Sequence, residues 1–274
     1  MLELGSLRFP VPSVMGILNV TPDSFSDGGR FLDPVPAVRQ AERMAADGAA
    51  IIDVGGESTR PGAQDVGLQQ ELDRVIPVIE AIRANTDTPI SVDTSKPRVM
   101  REAVAAGAAL INDVRALKAR GALEAAAELG VPVCLMHMAG EPRTMQSNPR
   151  YDDVVAEVCA FLEERTRACT EAGIDASHLM LDPGFGFGKS REHNVALLAN
   201  LRQLQRLGRP LLVGISRKRT LGDLTDRPVD QRMPASVAAA VVAVLKGAAM
   251  VRAHDVRETV DALKIAAAVM EAGG

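Results

Sequence analysis

Residues 90–114 read ISVDTSKPRVMREAVAAGAALINDV, and this stretch sets the expectation for the fold. Ile90–Asp93 is a short run rich in β-branched residues that ends on a carboxylate. Pro97 follows Ser95 where a first helical turn begins, a position that tolerates the missing N–H. Residues 97–106 keep helical spacing, and Gly107 stops them as a glycine just past a helix end does. Ala109–Val114 then opens a second aliphatic run. Strand, helix and strand in this order form the repeating unit of a parallel sheet. The runs are continuous rather than alternating, as strands buried on both faces are.

Working outward, the same alternation fills the chain. Aliphatic runs recur at Val14–Val20, Ala50–Val54, Val131–Met136, Leu179–Asp182, Leu211–Ile215 and Ala249–Arg252. Helical spacing is read near 35–47, 67–84, 119–129, 152–172, 190–207, 234–247 and 255–271, with stops at Gly48, Gly130, Gly173 and Gly208. Eight β–α units predict an α/β fold, a single-domain (β/α)8 TIM barrel over 1–274; an open doubly wound sheet shares the alternation. Two long segments without pattern, 21–34 and 55–66, follow the first and second strands, as lids or binding loops often do.

Composition narrows the function. The chain has 274 residues, 47% hydrophobic and 24% charged, an ordinary globular mix with material for a sizeable core. The formal net charge of −4 gives no global field for nucleic acid. The longest apolar run, Val237–Leu245, is too short to span a bilayer, and the first residues lack the pattern of a signal peptide. Cys134, Cys159 and Cys169 show no zinc or disulfide spacing, so a reducing, cytoplasmic setting is expected. Aromatics are scarce: six Phe, one Tyr and no Trp. Phe25, Phe31, Phe185 and Phe187 sit in Gly/Pro/Asp/Ser-rich stretches, where a core residue is least expected.

Polar residues collect at the C-terminal ends of the strands: Asn19, Asp53, Asp93, Asn112 with Asp113, His137, Asp182, Ser216 with Lys218, and Arg252 with His254. Helix capping explains any one of them. All eight strands ending this way predicts an active site at that rim of a barrel. His137 is expected to be a structural histidine and Lys189 a solvated surface residue. Arg60, Lys218, Arg252 and His254 supply local positive charge for an anion, Arg bidentately and Lys as a point charge. Asp93, Asp182 and Asn112 suit the donor edge of a planar aminopyrimidinone. Together these predict a nucleotide-like or pterin-like phosphate ester as ligand. The glycines of Asp182-Pro-Gly-Phe-Gly-Phe-Gly-Lys189 are expected to let Phe185 and Phe187 approach it.

At this point the chain resembles a known family, the dihydropteroate synthases. Met15-Gly-Ile-Leu-Asn-Val-Thr-Pro-Asp-Ser-Phe-Ser-Asp-Gly-Gly29 and Asp53-Val-Gly-Gly-Glu-Ser-Thr-Arg-Pro-Gly62 match its first two signatures. Ser91-Val-Asp-Thr, Ile111-Asn-Asp-Val, the 182–189 run, Ser216-Arg-Lys and Arg252-Ala-His-Asp-Val follow in order. The resemblance implies condensation of 6-hydroxymethyl-7,8-dihydropterin diphosphate with 4-aminobenzoate in folate synthesis, with Mg2+ as cofactor and a homodimer. It implies that Asp93, Asn112, Met136, Asp182, Phe187, Gly214 and Lys218 hold the pterin. Asn19, which would also ligate Mg2+, is implied with Asp53, Thr59, Arg60, Arg252 and His254 at the diphosphate. Phe25, Thr59, Pro61, Ser216 and Lys218 are implied at 4-aminobenzoate, where sulfonamides compete. Asp27, Lys218 and Arg252 are the expected catalytic residues, Asp27 by swinging in to stabilise a cation. Arg219 departs from the family, which more often has a small Ser there. A catalytically silent pterin-binding paralogue and a pterin-dependent methyltransferase domain share the barrel and the pterin-reading groups.

Overall fold

The computed structural model describes residues 1–21, 34–57, 65–140, 145–146 and 149–273. Phe25, Asp27, Phe31, Thr59, Arg60 and Pro61 lie outside them, with most of the two long segments. The chain starts with a hairpin that the periodicity does not announce. Its strands β1 (Leu2–Leu4) and β2 (Leu7–Phe9) are antiparallel. Eight parallel strands follow among the described residues: β3 (Ser13–Asn19), β4 (Ile51–Gly55), β5 (Ile90–Asp93), β6 (Leu110–Asp113), β7 (Val133–Met136), β8 (Leu179–Asp182), β9 (Leu212–Val213) and β10 (Met250–Ala253). Their order is β8-β7-β6-β5-β4-β3-β10-β9. A parallel bridge between Leu181 and Leu211 joins the two ends of that order and closes the barrel, which settles against the open sheet.

Helices return the chain between strands, as expected, and their ends follow local chemistry. The helix Pro97–Ala105 starts on its proline, and Gly130, at φ +63°, ends the helix Ala122–Leu129. The expected helix over 190–207 is split into an α-helix, Arg191–Ala199, and a 3-10 turn, Leu201–Leu207. At the break the Asn200 side chain donates to the Ala196 carbonyl, competing with the backbone for it.

Both faces of the strands are buried, against different neighbours. Residues such as Ile52, Val54, Ile90, Val92, Ile111, Leu135, Leu181 and Val251 face the helices in the main core. Alternate residues point inward. At the lower, N-terminal end, Met15, Ile51, Leu110, Cys134, Met180, Leu212 and Met250 form an apolar floor, plugged by Leu2, Leu4 and Phe9 of the hairpin. Burying each of these larger side chains contributes about 1.5–3 kcal/mol. Two residues further along the strands, the same inward face carries Asp53, Asn112, Met136, Asp182, Gly214 and Arg252. The pleat thus turns an apolar floor into a polar mouth within one step.

Candidate active site

Arg252, from β10, is the hub of the mouth. Its Nε donates to Asp53 Oδ2 at 2.6 Å and its Nη2 to Asp93 Oδ2 at 2.9 Å. Asn112 Nδ2 donates to the same Asp53 oxygen at 3.0 Å. Three neighbouring strands and β10 are therefore tied by one charged network under the mouth. The other Asp53 oxygen, Oδ1, is buried and accepts no hydrogen bond from a described residue.

Burial decides the protonation chemistry here. It pushes Asp93 up to about 7, against the Arg252 guanidinium and with the help of Asp53. It raises Asp182 too, opposed mainly by Lys218. Lys218 is pushed down to about 8 by burial, with Asp182 opposing and Arg252 assisting. Burial also works against the Arg252 charge, but Asp53 and Asp93 outweigh it and hold the guanidinium above its ordinary value. The mouth is a set of charges that oppose and define one another.

The loop after β8 shapes one wall. Asp182 Oδ1 accepts from the Gly184 N–H at 2.7 Å. Gly184 has φ +70°, and a Cβ there would lie 1.8 Å from the His137 carbonyl oxygen, so only glycine fits. Phe187 packs with Val114, Met136 and Met145, and the Lys218 ammonium lies 4.4 Å from its ring centre. Gly214 faces Asp182 and Arg252, where an added Cβ would stand 3.7 Å from Asp182 Oδ2. An aromatic face, a cation above it and carboxylates at its edge make a slot for a flat, hydrogen-bond-donating ring.

Phe185 corrects its expectation. Its ring is 1% exposed and belongs to the main core, while its carbonyl, not its ring, reaches the mouth by accepting from Lys218. Lys189 corrects another. It is 3% exposed rather than solvated, and its Nζ lies 2.8 Å from His137 Nδ1. His137 is buried, as a structural histidine is expected to be, and burial with Lys189 pushes it down to about 3.

The rim next to β9 and β10 holds the remaining expected groups. Ser216 Oγ and His254 Nδ1 are 3.0 Å apart, and the His254 N–H donates to the same hydroxyl at 3.2 Å. Arg217, at φ +56°, turns away from the mouth to form a two-pronged pair with Asp255. Arg219 also points outward, 87% exposed and 3.5 Å from Asp223. Asn19 closes β3 at the mouth, one strand from Asp53.

A support that the motifs do not reveal lies behind β4. Glu71 is fully buried on the helix Leu68–Asn85, and it accepts from Thr94 Oγ1 at 2.6 Å and from Lys96. Lys96 also donates to Glu57, and Arg74 to the Gly56 carbonyl at 2.7 Å. The Val66 N–H returns to Glu57 at 3.2 Å. Residues on both sides of the second long segment are thereby anchored to one clamp. Its partners come from separate stretches of sequence, so no local pattern signals it.

Comparison with known proteins agrees with this geometry. Residues 15–254 match the family described as pterin binding enzyme. The chain is 54% identical over 267 residues to the dihydropteroate synthase of Escherichia coli (strain K12), covering 97% of this chain and 95% of that one. It is 55% identical to that of Haemophilus influenzae (strain Rd), covering 94% of each. Among solved structures, a Yersinia pestis dihydropteroate synthase with a sulfonamide drug complex superposes with a TM-score of 0.93 at 52% identity, covering 98% of this chain and 99% of that one. The Xanthomonas albilineans enzyme in complex with 7,8-dihydropteroate superposes with a TM-score of 0.88 at 54% identity, covering 96% and 95%.

Proposed function

The chain belongs to the pterin-binding enzyme family, and from that premise we propose how its barrel mouth works as a dihydropteroate synthase. The reaction joins 6-hydroxymethyl-7,8-dihydropterin diphosphate to 4-aminobenzoate and yields 7,8-dihydropteroate and pyrophosphate. The observation that carries the assignment of roles is the slot itself: Asp93, Asn112 and Asp182 at one level, with Phe187 and Lys218 above.

The pterin enters edge first. Asp182 accepts adjacent N–H groups of its pyrimidinone edge, and Asp93 and Asn112 satisfy the other polar atoms. Met136, Phe187 and Gly214 flank the ring, and Lys218 donates across it. The diphosphate then points to Arg252, His254 and Asn19, with Asp53 beneath and Thr59 and Arg60 from the second segment.

Bond breaking at the exocyclic methylene leaves positive charge on an electron-rich dihydropterin. The carboxylates beside the ring stabilise that charge, so the step is largely dissociative. Asp27 adds to this from the first segment. Phe25, Thr59, Pro61, Ser216 and Lys218 hold 4-aminobenzoate, whose neutral amine attacks without a dedicated base.

The residues present fit Mg2+. Asn19 offers a carboxamide oxygen, and the buried Asp53 Oδ1, which accepts no hydrogen bond from a described residue, leaves an acceptor beneath the mouth. A cation that keeps waters and substrate phosphate oxygens needs few protein ligands. When bound, it would neutralise diphosphate charge and improve the leaving group.

Two features support the wider reading. The three cysteines are buried and free, in keeping with a reducing cytoplasm, and no helix among the described residues is long and apolar enough to cross a membrane. Ile265 and Val269 are 69% and 61% exposed on the helix Val256–Gly273, which packs against the helix Met233–Leu245, where Val242 and Leu245 are exposed as well. This apolar face favours a homodimer, which light scattering should report as twice the chain mass.

The test is pyrophosphate release from the pterin diphosphate. Release should require 4-aminobenzoate and Mg2+ and stop with a chelator. Pterin binding without release would instead mark a catalytically silent pterin-binding protein.

A further inference from the structure

Lys189 is buried, no carboxylate among the described residues is in hydrogen-bond contact with it, and burial pushes its ammonium well below its ordinary value, an expensive arrangement unless the side chain serves something. Its Nζ lies 2.8 Å from His137 Nδ1, 2.9 Å from the Gly184 carbonyl oxygen and 3.1 Å from the Phe187 carbonyl oxygen. Two carbonyls and an imidazole lone pair match the three protons of an ammonium. None of these contacts is with solvent or with a surface group.

What Lys189 grips is the machinery of the pterin slot. The peptide unit of Gly184 is held at both ends of its residue: its N–H donates to Asp182 Oδ1, and its carbonyl accepts from Lys189 and from the Phe187 N–H at 3.1 Å. Phe187 supplies the aromatic face, and its own carbonyl is Lys189's third acceptor. The edge-reading carboxylate and the face of the slot are therefore fixed to one ammonium. A Cβ at Gly188 would lie 2.3 Å from the Ala139 carbonyl oxygen, so its backbone is pressed against the segment after β7. Tyr151 and Asn194 hold the outer side, through Gly188 and Gly186.

We propose that Lys189 is a positioning residue for the pterin: by gripping the Gly184 and Phe187 carbonyls it sets the distance between the Asp182 carboxylate and the Phe187 ring. The proposal deepens the functional reading above and rests on it for the identity of the ligand. The groups facing Asp182 are Lys218 from the segment after β9, Arg252 from β10, Lys189 from its own loop and the Cys134 thiol from β7. Burial already raises Asp182, and Lys189 is one of three cations that oppose it.

The test uses Lys189→Met, which removes charge and donors, and Lys189→Gln, which keeps donors without charge. Affinity for 6-hydroxymethylpterin is read by calorimetry from pH 5.5 to 9, beside steady-state kinetics for both substrates. Lys189→Met should weaken the pterin by about tenfold or more, with the KM for 4-aminobenzoate within about twofold of the parent. Lys189→Gln, which keeps donors, should recover part of the lost affinity. Circular dichroism and thermal unfolding establish that the variants are folded. If Lys189→Met does not fold, Lys189→Gln alone carries the comparison between the two substrates. Equal weakening of both substrates, or an unchanged pterin affinity in a folded variant, would overturn the proposal. Because binding is read without turnover, a parent protein that binds pterin but releases no pyrophosphate would count against the activity and leave the Lys189 result decisive on its own.

Discussion

The two ends of the barrel are made from the same strands, and they differ by one step of the pleat. At the lower end Ile51, Leu110, Met180 and Met250 point inward, fully buried, under the hairpin. Two residues on, Asp53, Asn112, Asp182 and Arg252 occupy the equivalent positions. The floor is apolar and close-packed. The mouth crowds three carboxylates and two cations into a buried space, where burial opposes the charges of Asp93, Asp182, Lys218 and Arg252. One end contributes stability, and the other spends some of it on a site shaped for something other than itself. Mutations at the two ends should therefore separate activity from stability.

The largest effect should come at the mouth. Asp182→Asn keeps shape but turns an N–H toward a donor-bearing ring, leaving buried donors unpaired. kcat/KM for the pterin diphosphate should fall roughly 10²–10³-fold, with the melting temperature unchanged or higher. At the floor, Leu110→Ala removes a fully buried side chain that cannot be replaced by water. It should cost about 2–5 kcal/mol and lower the melting temperature by on the order of 10 °C. The folded fraction should keep kcat/KM within about twofold. Thermal unfolding and kinetics on the two variants break the comparison if Leu110→Ala loses as much turnover as Asp182→Asn.

A smaller, graded effect sharpens it. Asp93 has a pKa raised to about 7 by burial, so in the free protein its proton is lost only near neutrality. The carboxylate is the form that accepts N–H groups of the pterin. As pH falls through about 7, protonation competes with the ligand, and affinity should drop by up to about tenfold per unit. Calorimetry of pterin binding against pH measures this. Flat affinity from pH 8 to 6 would mean that Asp93 is already ionised and that Arg252 outweighs burial.

How much of this was legible beforehand follows from what each feature depends on. The eight strands and their helices were readable because each rests on local pattern: β-branched runs, Pro97 at a helix start, glycines such as Gly107 and Gly130 at helix ends. The inward polar residues were readable because polar side chains recur at or just after the ends of all eight strands. The hairpin 2–9 was not, since three-residue strands carry too little periodicity to register. Lys189 and Phe185 were misjudged for a related reason. Their burial is decided by the segment after β7 and by the main core, both distant in sequence. The Glu57–Lys96–Glu71 clamp has its partners far apart in the chain and is visible only once the strands are assembled.

The smallest effect should be at Arg219, although the sequence singles it out. It stands directly after Lys218, so the departure from a small Ser reads as a change either at the start of the next helix or in the outer 4-aminobenzoate pocket. The backbone decides otherwise. Arg219 opens the helix Arg219–Thr225, and its side chain leaves the mouth for solvent, 87% exposed, to meet Asp223 at 3.5 Å, one turn on. An exposed pair of this kind contributes little, within about 0.5 kcal/mol. Arg219→Ser should therefore leave stability, both KM values and inhibition by a sulfonamide within about twofold of the parent. A larger change in sulfonamide inhibition alone would show that the outer edge of the mouth extends to this helix, and would redraw the border between the working end of the barrel and its surface.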